Sequence, residues 1–448
     1  MKRVVSLLLA AALLLSLTAC KGAVSAFSPE GDLEGYTFAA FRAGEAFDLA
    51  LYFDKYIETR AQAFDLLLIA ADGFAARIAG DDLTGCTLVF NRAHEWEFRS
   101  ELHPPSANVR NLAAMVVVST SDDPRAVHFI QGDKVRGITA GQLRLLDTQC
   151  ALREEGTSRS NGRSVTVYTT QRRVPLADIL PEGGSFCAMG FSGETMFFRG
   201  PEDSILVCER GALDLHLADG RILRDIAGVM ADPPGFLITE TYHDALRALE
   251  QGRRVMIIEL DGMGFDMLPY APHLASLSPR RALACYPPIS PVGLAAMLTG
   301  ETPDVHGIQG RENRALSCED LFAAAEQLGK TCAYIEGGHT LINTSMRPDL
   351  ALDDANAFTL AKDALESAPD LLFVHFHGID EAAHAFGPHA GDTRQVVAEL
   401  DGCVRSLLEG FDGRVIITAD HGLHKTEGGG NHGEFLPEDM VVPYVVAG

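Results

Sequence analysis

Three short apolar runs in the second half of the chain each end abruptly in acids and histidines, and this pattern restricts the fold more than any other feature. Residues 371–376 lead into His377-Gly378-Ile379-Asp380 and, four residues on, His384. Residues 415–419 lead into Asp420-His421-Gly422, and residues 255–260 lead into Asp261-Gly262. A further histidine, His432, follows the glycine run at 428–430. Runs this short, β-branched and apolar predict strands covered on both faces, as in a parallel sheet. Polar groups at the carboxyl ends of such strands lie where open α/β sheets bind ligands. Carboxylates mixed with imidazoles on one rim suit zinc or manganese. Each stretch alone is as readily a solvated loop; the same pattern at three strand ends favours a site.

Helical patterns separate the runs. Residues 242–250 read as a helix, as do residues 318–329, closed by Gly329, and residues 395–408, with Val396, Val397, Leu400, Val404, Leu407 and Leu408 on one face. Residues 331–335 supply another strand. Strand alternating with helix predicts an α/β domain, a parallel sheet flanked by helices, over residues 236–448. Asp232-Pro233-Pro234-Gly235 is the expected boundary, because paired prolines and a glycine break regular structure. Residues 36–232 read as a separate, mostly β region punctuated by Asp72-Gly73, Asn161-Gly162 and Asp219-Gly220. A faint echo between residues 47–51 and 174–180 raises the alternative of two degenerate repeats. His94, His103, His128 and His216 are scattered through this region without a catalytic pattern.

At the other end, Lys2 and Arg3 precede an apolar run that closes on Leu17-Thr18-Ala19-Cys20, the layout of a secretory signal. A cysteine at the cleavage point resembles a bacterial lipoprotein signal, which implies residues 1–20 as signal, lipid on Cys20, a tether over 21–35 and an extracytoplasmic, membrane-anchored protein; a plain cleaved signal or an uncleaved anchor is the alternative. The formal net charge of -24 excludes an electrostatic hold on nucleic acid. An anionic substrate would therefore depend on local cations. No pair among the nine cysteines has the C-x-x-C spacing of a thiolate zinc site.

The ordered set is specific. Asp261 follows the first strand; Ser290 precedes a run ending Thr299-Gly300; Asp380-x-x-x-His384 is followed by Gly387-Pro388; then come Asp420-His421-Gly422 and His432-Gly433. Over residues 253–448 this resembles the alkaline phosphatase superfamily, with the type I phosphodiesterase / nucleotide pyrophosphatase branch the nearest. The resemblance implies two divalent ions, zinc or alternatively manganese. Asp380, His384 and His432 would hold one, Asp261, Asp420 and His421 the other, with the hydroxyl of Ser290 between them as nucleophile. Coordination would lower the hydroxyl's pKa, which explains the lack of a neighbouring base. Ser290 also stands where a helix begins, so it reads equally as a helix cap, and free N–H groups there could receive phosphate oxygens. Gly293 departs from the pattern, because pyrophosphatase relatives commonly place an asparagine there. His377 and His424 flank the ligands and could orient them or the substrate.

A metal-dependent hydrolase of a small phosphate-containing substrate is thus the expected function, a phosphodiesterase or nucleotide pyrophosphatase. Phosphomonoesterase and phosphonate hydrolase are the alternatives, along with a non-catalytic binding lipoprotein. Sulfatase chemistry is disfavoured, since Ser290-Pro291-Val292-Gly293-Leu294 lacks the x-Pro-x-Arg context. No Arg or Lys lies between Ser290 and Arg311, which predicts a site without a cationic side chain and a preference for diesters over dianionic monoesters.

Overall fold

The computed structural model describes residues 23–27, 36–39, 44, 46–51, 64–93, 95–119, 126–138, 143, 149–160, 163–209, 212–409 and 411–448. Cys20, the signal-like segment and most of the expected tether lie outside these. Two compact units emerge, one drawn from residues 1–127, 137–175 and 205–216, the other from 128–136, 176–204 and 217–448.

The first unit is β-rich, as its turn signals predict. Ala23–Phe27, inside the expected tether, instead pairs parallel with Leu112–Ser119 and antiparallel with Tyr36–Ala39. Val24 and Phe27 have strand propensity that a solvated linker would not need. Phe64–Ala70 joins the same sheet and turns back into Ala75–Ala79 at Asp72-Gly73, where Gly73 takes a positive φ. Ala46–Asp48, Cys86–Phe90 and Trp96–Ser100 make a smaller sheet, and Leu66, Leu68, Leu88, Phe98 and Met115 share one buried core. The strands either side of Asn161-Gly162 pair as a long hairpin with Ser160 opposite Arg163. The echoed stretches do not correspond: residues 46–48 form a strand in the small sheet, whereas Leu176–Asp178 is a 3-10 turn in the second unit.

The second unit is built on a seven-stranded sheet in the order Arg280–Leu283, Val441–Ala447, Arg414–Thr418, Val255–Leu260, Leu371–Phe376, Cys332–Gly337, Asp349–Ala351. The last five run parallel. Val441–Ala447 is antiparallel to its neighbours, so the expected parallel sheet is mixed. No long crossover helix lies between residues 418 and 441 to carry the chain back to its starting end. The central strands are buried on both faces, which explains their largely apolar sequence, interrupted only at Glu259 and His375. Helices Glu240–Glu250, Leu321–Gln327 and Gly391–Glu409 occupy the expected stretches.

Asp232-Pro233-Pro234-Gly235 does not separate domains. Residues 176–204 and 217–232 fold with the second unit, and Cys187, Met189, Ala227 and Met230 enter the same core as the central strands. Ile226–Ala231 pairs with Phe186–Gly190 and Val127–Gln131. Gly228 lies so close to the Phe435 ring that any Cβ there would overlap it. The prolines turn the chain without ending the core.

One half-buried acid fixes the helix that leaves the central sheet. Asp354 Oδ1 accepts from His377 N–H and Oδ2 from Gly378 N–H, both at 3.0 Å, at the start of Gly378–Phe386. Those are orphan donors of a helix N-terminus, satisfied here from across the chain. Gly378 permits the approach, because a Cβ there would strike the Asp354 carboxylate.

Candidate metal centre

The carboxyl ends of three parallel strands bring the polar residues together. Asp261 ends one and Asp420 another, while Gly378–Phe386 presents Asp380 and His384 one turn apart. His421 Nε2 lies 3.1 Å from Asp420 Oδ2 and 3.5 Å from Asp261 Oδ1. Asp380 Oδ1 lies 3.4 Å from His384 Nε2 and 3.8 Å from His432 Nε2. Asp261, Asp420 and His421 form one group of mutually close donors, and Asp380, His421 and His432 a second. His421 belongs to both groups. His384 meets the second through Asp380 and through a 5.0 Å ring approach to His432.

The three imidazoles are oriented alike. Nδ1 of His384, His421 and His432 faces the carbonyl oxygens of Gly430, Gly422 and Pro288 at 3.0, 3.1 and 2.8 Å. A carbonyl can only accept, so each Nδ1 carries the proton and each Nε2 keeps a lone pair for the shared space. Burial holds His421 neutral, down to about 4, and burial with the His421 ring beside it takes His432 to about 3.

The carboxylates are frustrated as they stand. Burial and the charge of Asp261 push Asp380 up to about 8, and the same two causes push Asp420 well above the usual carboxylate range. Asp261 is buried too, but its His375 and His377 contacts and the nearby His421 outweigh burial and hold it well below that range. Asp261 Oδ1 and Oδ2, Asp380 Oδ1 and Asp420 Oδ2 have no hydrogen-bond partner. Buried carboxylates without donors are costly unless a cation is supplied. Orphaned oxygens, neutral imidazoles and aligned Nε2 lone pairs fit a centre for divalent metal.

Ser290 stands beside it. Its Oγ is 3.3 Å from His421 Nε2, and the helix Ser290–Thr299 is capped at Ile289, so the hydroxyl turns to the centre instead of capping the helix. The expected group of free N–H donors is reduced: Pro291 has none, and those of Val292 and Gly293 both donate to the Ile289 carbonyl. Gly293 has a steric purpose. A Cβ there would lie 2.5 Å from the Asp420 Cβ and 2.7 Å from its carbonyl oxygen, so this spacing admits no asparagine. Gly262 is constrained likewise, with φ +76 and its N–H donating to Asp420 Oδ1 at 3.1 Å.

Residues 255–330 and 319–443 match the family model of type I phosphodiesterase / nucleotide pyrophosphatase. Over these residues, less than half of the chain, it is similar to that family. An uncharacterised pyrophosphatase/phosphodiesterase of Schizosaccharomyces pombe is 24% identical over 219 residues, 38% of this chain and 45% of that protein. GPI ethanolamine phosphate transferase 3 of the same yeast is 30% identical over 89 residues, 19% of this chain and 9% of that protein. The chain thus spans less than half the length of these relatives. Among solved structures, phosphonoacetate hydrolase from Sinorhizobium meliloti 1021 in complex with phosphonoformate is similar at TM-score 0.32 and 17% identity, covering 40% of this chain and 60% of that one. Murine ectonucleotide pyrophosphatase / phosphodiesterase 5 is similar at 0.33 and 15%, covering 39% and 58%.

Within this domain, His377 Nδ1 sits 2.9 Å from Asp261 Oδ2 and so bears on a candidate ligand. His424 does not reach the centre by any such contact; its Nδ1 pairs with Asp439 Oδ1 and Oδ2 at 2.9 and 3.0 Å. Asp439 also accepts from the Glu434 N–H, so this pair braces the loop that carries His432. Three residues were not singled out from the sequence. Glu259 and His375 interrupt apolar strands, and that interruption was the available signal. Arg311 gave none, lying far along the chain from every ligand motif, yet its Nη2 is 3.3 Å from His432 Nε2. The expectation of a site without a cationic side chain is therefore corrected, because the loop after residue 300 brings this guanidinium to the rim. For Gly293→Ala, a nominally mild change, the expected result is a displaced Asp420 and at least tenfold weaker metal retention, about 1.4 kcal/mol. Metal content after dialysis against a weak chelator reads this out, and retention equal to wild type would contradict the steric account.

Proposed function

We propose that this domain hydrolyses phosphoric esters at a dinuclear centre, as a phosphodiesterase or nucleotide pyrophosphatase, with Ser290 as nucleophile. Asp380, His384 and His432 would hold one divalent ion and Asp261, Asp420 and His421 the other. Zinc suits this mixture of carboxylate and imidazole without thiolate, and manganese is the alternative. The observation that carries the reading is the approach of Ser290 Oγ to His421 Nε2, 3.3 Å, beside carboxylate oxygens that have no partner. When bound, the ions would neutralise phosphoryl oxygens and acidify the serine hydroxyl. The chain's own part is positional. Asp261 and Asp420 are held by strand ends and by the close approach of Gly262 and Gly293, while three carbonyl groups orient the imidazoles. Ser290 Oγ forms the bond to phosphorus as the leaving alcohol or phosphate departs, and water then releases the phosphoryl group.

Arg311 changes the expected preference. A guanidinium at the rim pairs bidentately with phosphate oxygens and favours substrates carrying charge beyond a single diester anion. Pyrophosphates of nucleotides have that charge, as do monoesters, so the argument for diesters over monoesters loses its ground. A phosphonate hydrolase would use the same residues. A binding protein without catalysis would have no use for a serine hydroxyl held beside the ligands.

The test is a panel of one aryl monoester, one bis-aryl diester, one nucleotide pyrophosphate and one phosphonate on a single preparation. Turnover should require divalent metal and vanish in Ser290→Ala. Arg311→Ala should lose roughly tenfold in kcat/KM on the pyrophosphate, about 1.4 kcal/mol, and much less on the bis-aryl diester. Equal losses on both would reject the role given to Arg311, and turnover by Ser290→Ala at the wild-type rate would reject the nucleophile.

Membrane anchoring through lipid on Cys20 is a further proposal, supported by the sequence around that cysteine. Among the described residues no helix is long and apolar enough to cross a membrane. Cys20→Ser should shift the protein from the membrane fraction to the soluble one; an unchanged distribution would oppose lipidation.

A further inference from the structure

The residues that match the family model begin at 255, yet both loops at the rim of the candidate centre are met by a part of the chain that precedes them. Phe186–Gly190, Thr195–Phe198 and Ile226–Ala231 are neighbouring strands of a second sheet in the same compact unit. Gly228 of this sheet lies against the Phe435 ring, three residues beyond His432. Phe191 meets the Tyr286 ring edge-on at 5.7 Å, two residues before Pro288, whose carbonyl faces His432 Nδ1.

The third contact reaches the loop that carries Arg311. Gln309 Nε2 donates to the Ser192 carbonyl at 2.9 Å, and a Cβ on Gly193 would lie 2.3 Å from the Pro303 Cβ. The turn that makes both contacts is closed on itself: Gly190 N–H donates to the Glu194 carbonyl and Gly193 N–H to the Gly190 carbonyl, each at 2.9 Å. Gly193 takes a φ of +87, a conformation that suits glycine alone at such close range. On the other side, Pro303–His306 forms a single helical turn, and Ile308 beyond it is fully buried with its N–H on His306 Nδ1 at 3.1 Å.

Past Ile308 the chain has little to hold it. Gln309 is exposed, and a Cβ on Gly310 would meet nothing. Among the described contacts, the Gln309–Ser192 bond is the one that ties residues 309 and 310 to another part of the chain. A long, flexible arginine beside a glycine loses conformational freedom whenever it takes hold of an anion. A tether two residues away pays part of that cost before substrate arrives.

We propose that the turn Gly190–Glu194, which lies outside the family-matched residues, positions Arg311 through Gln309 and Pro303. It thereby sets the preference for substrates with charge beyond a single diester anion. The inference rests on the role given to Arg311 above. Gln309 and Gly193 are positioning residues in this account, because neither is placed against substrate or metal.

Hydrogen–deuterium exchange and steady-state kinetics on the full chain test this together. Gln309→Met keeps the length of the side chain and removes the donor. It should speed amide exchange over residues 309–313 and lower kcat/KM for a nucleotide pyrophosphate about threefold, through KM, with a smaller change on the bis-aryl diester. In an Arg311→Ala background the same substitution should cost nothing further, because the guanidinium it positions is gone. Gly193→Ala, which drives the turn away from Pro303, should act in the same direction and lose its effect in the same background. Unchanged exchange in Gln309→Met, equal losses on the two substrates, or a loss that persists without Arg311 would overturn the positioning role. Faster exchange in Gln309→Met with no selective loss in Arg311→Ala would place the failure in the role given to Arg311, and the link to substrate preference would fall with it.

Discussion

The desolvation of carboxylates at the carboxyl ends of parallel strands is the constraint on which the rest of this domain depends. Asp261 and Asp420 are essentially sealed from water, and each keeps an oxygen without any donor. A buried carboxylate costs several kcal/mol unless something cationic answers it. Local choices that look arbitrary follow from this. Gly293 and Gly262 have no side chains because helix and turn must close against Asp420 and Asp380. The carbonyl groups of Gly422, Gly430 and Pro288 bind Nδ1 so that the Nε2 atoms face the acids. Asp354, with a raised pKa chiefly from burial, ties down the helix that brings Asp380 to the same place.

Much of this was legible in the sequence because the sheet and the site share one signal. A strand buried on both faces is mostly apolar, so the acid or histidine that ends the apolar run marks both the strand end and the rim where ligands gather. The i, i+4 spacing of Asp380 and His384 likewise reports one helix face. Arg311 was illegible for the opposite reason: it sits on a loop, and no periodicity encodes where a loop returns in space. Ser290 reads equally as a helix cap, and only the structure shows its hydroxyl facing His421. Gly293 read as a lost contact, although the requirement was for absence of a side chain, which depends on the distance between two backbones.

Domain limits were the least legible feature. Asp232-Pro233-Pro234-Gly235 has the composition of a linker, and its local chemistry does break regular structure. What decides membership of a domain is which core the flanking strands enter, and here Cys187, Met189, Ala227 and Met230 enter the core of the central sheet. Long-range burial of that kind leaves no mark on composition. The same limit applies to Glu259 and His375, visible as polar interruptions in apolar strands but shown to stand side by side only by the strand register.

The central claim is that this acid cluster is folded around cations. Thermal unfolding of the chain stripped by a chelator, with and without added zinc, bears on it most directly, since a ligand bound only by the folded state stabilises by about 2.7 kcal/mol at a hundredfold excess over its dissociation constant. The account predicts a rise in Tm of several degrees that saturates with zinc in the wild type and is largely lost in Asp420→Ala. No rise, or an equal rise in that variant, would contradict it.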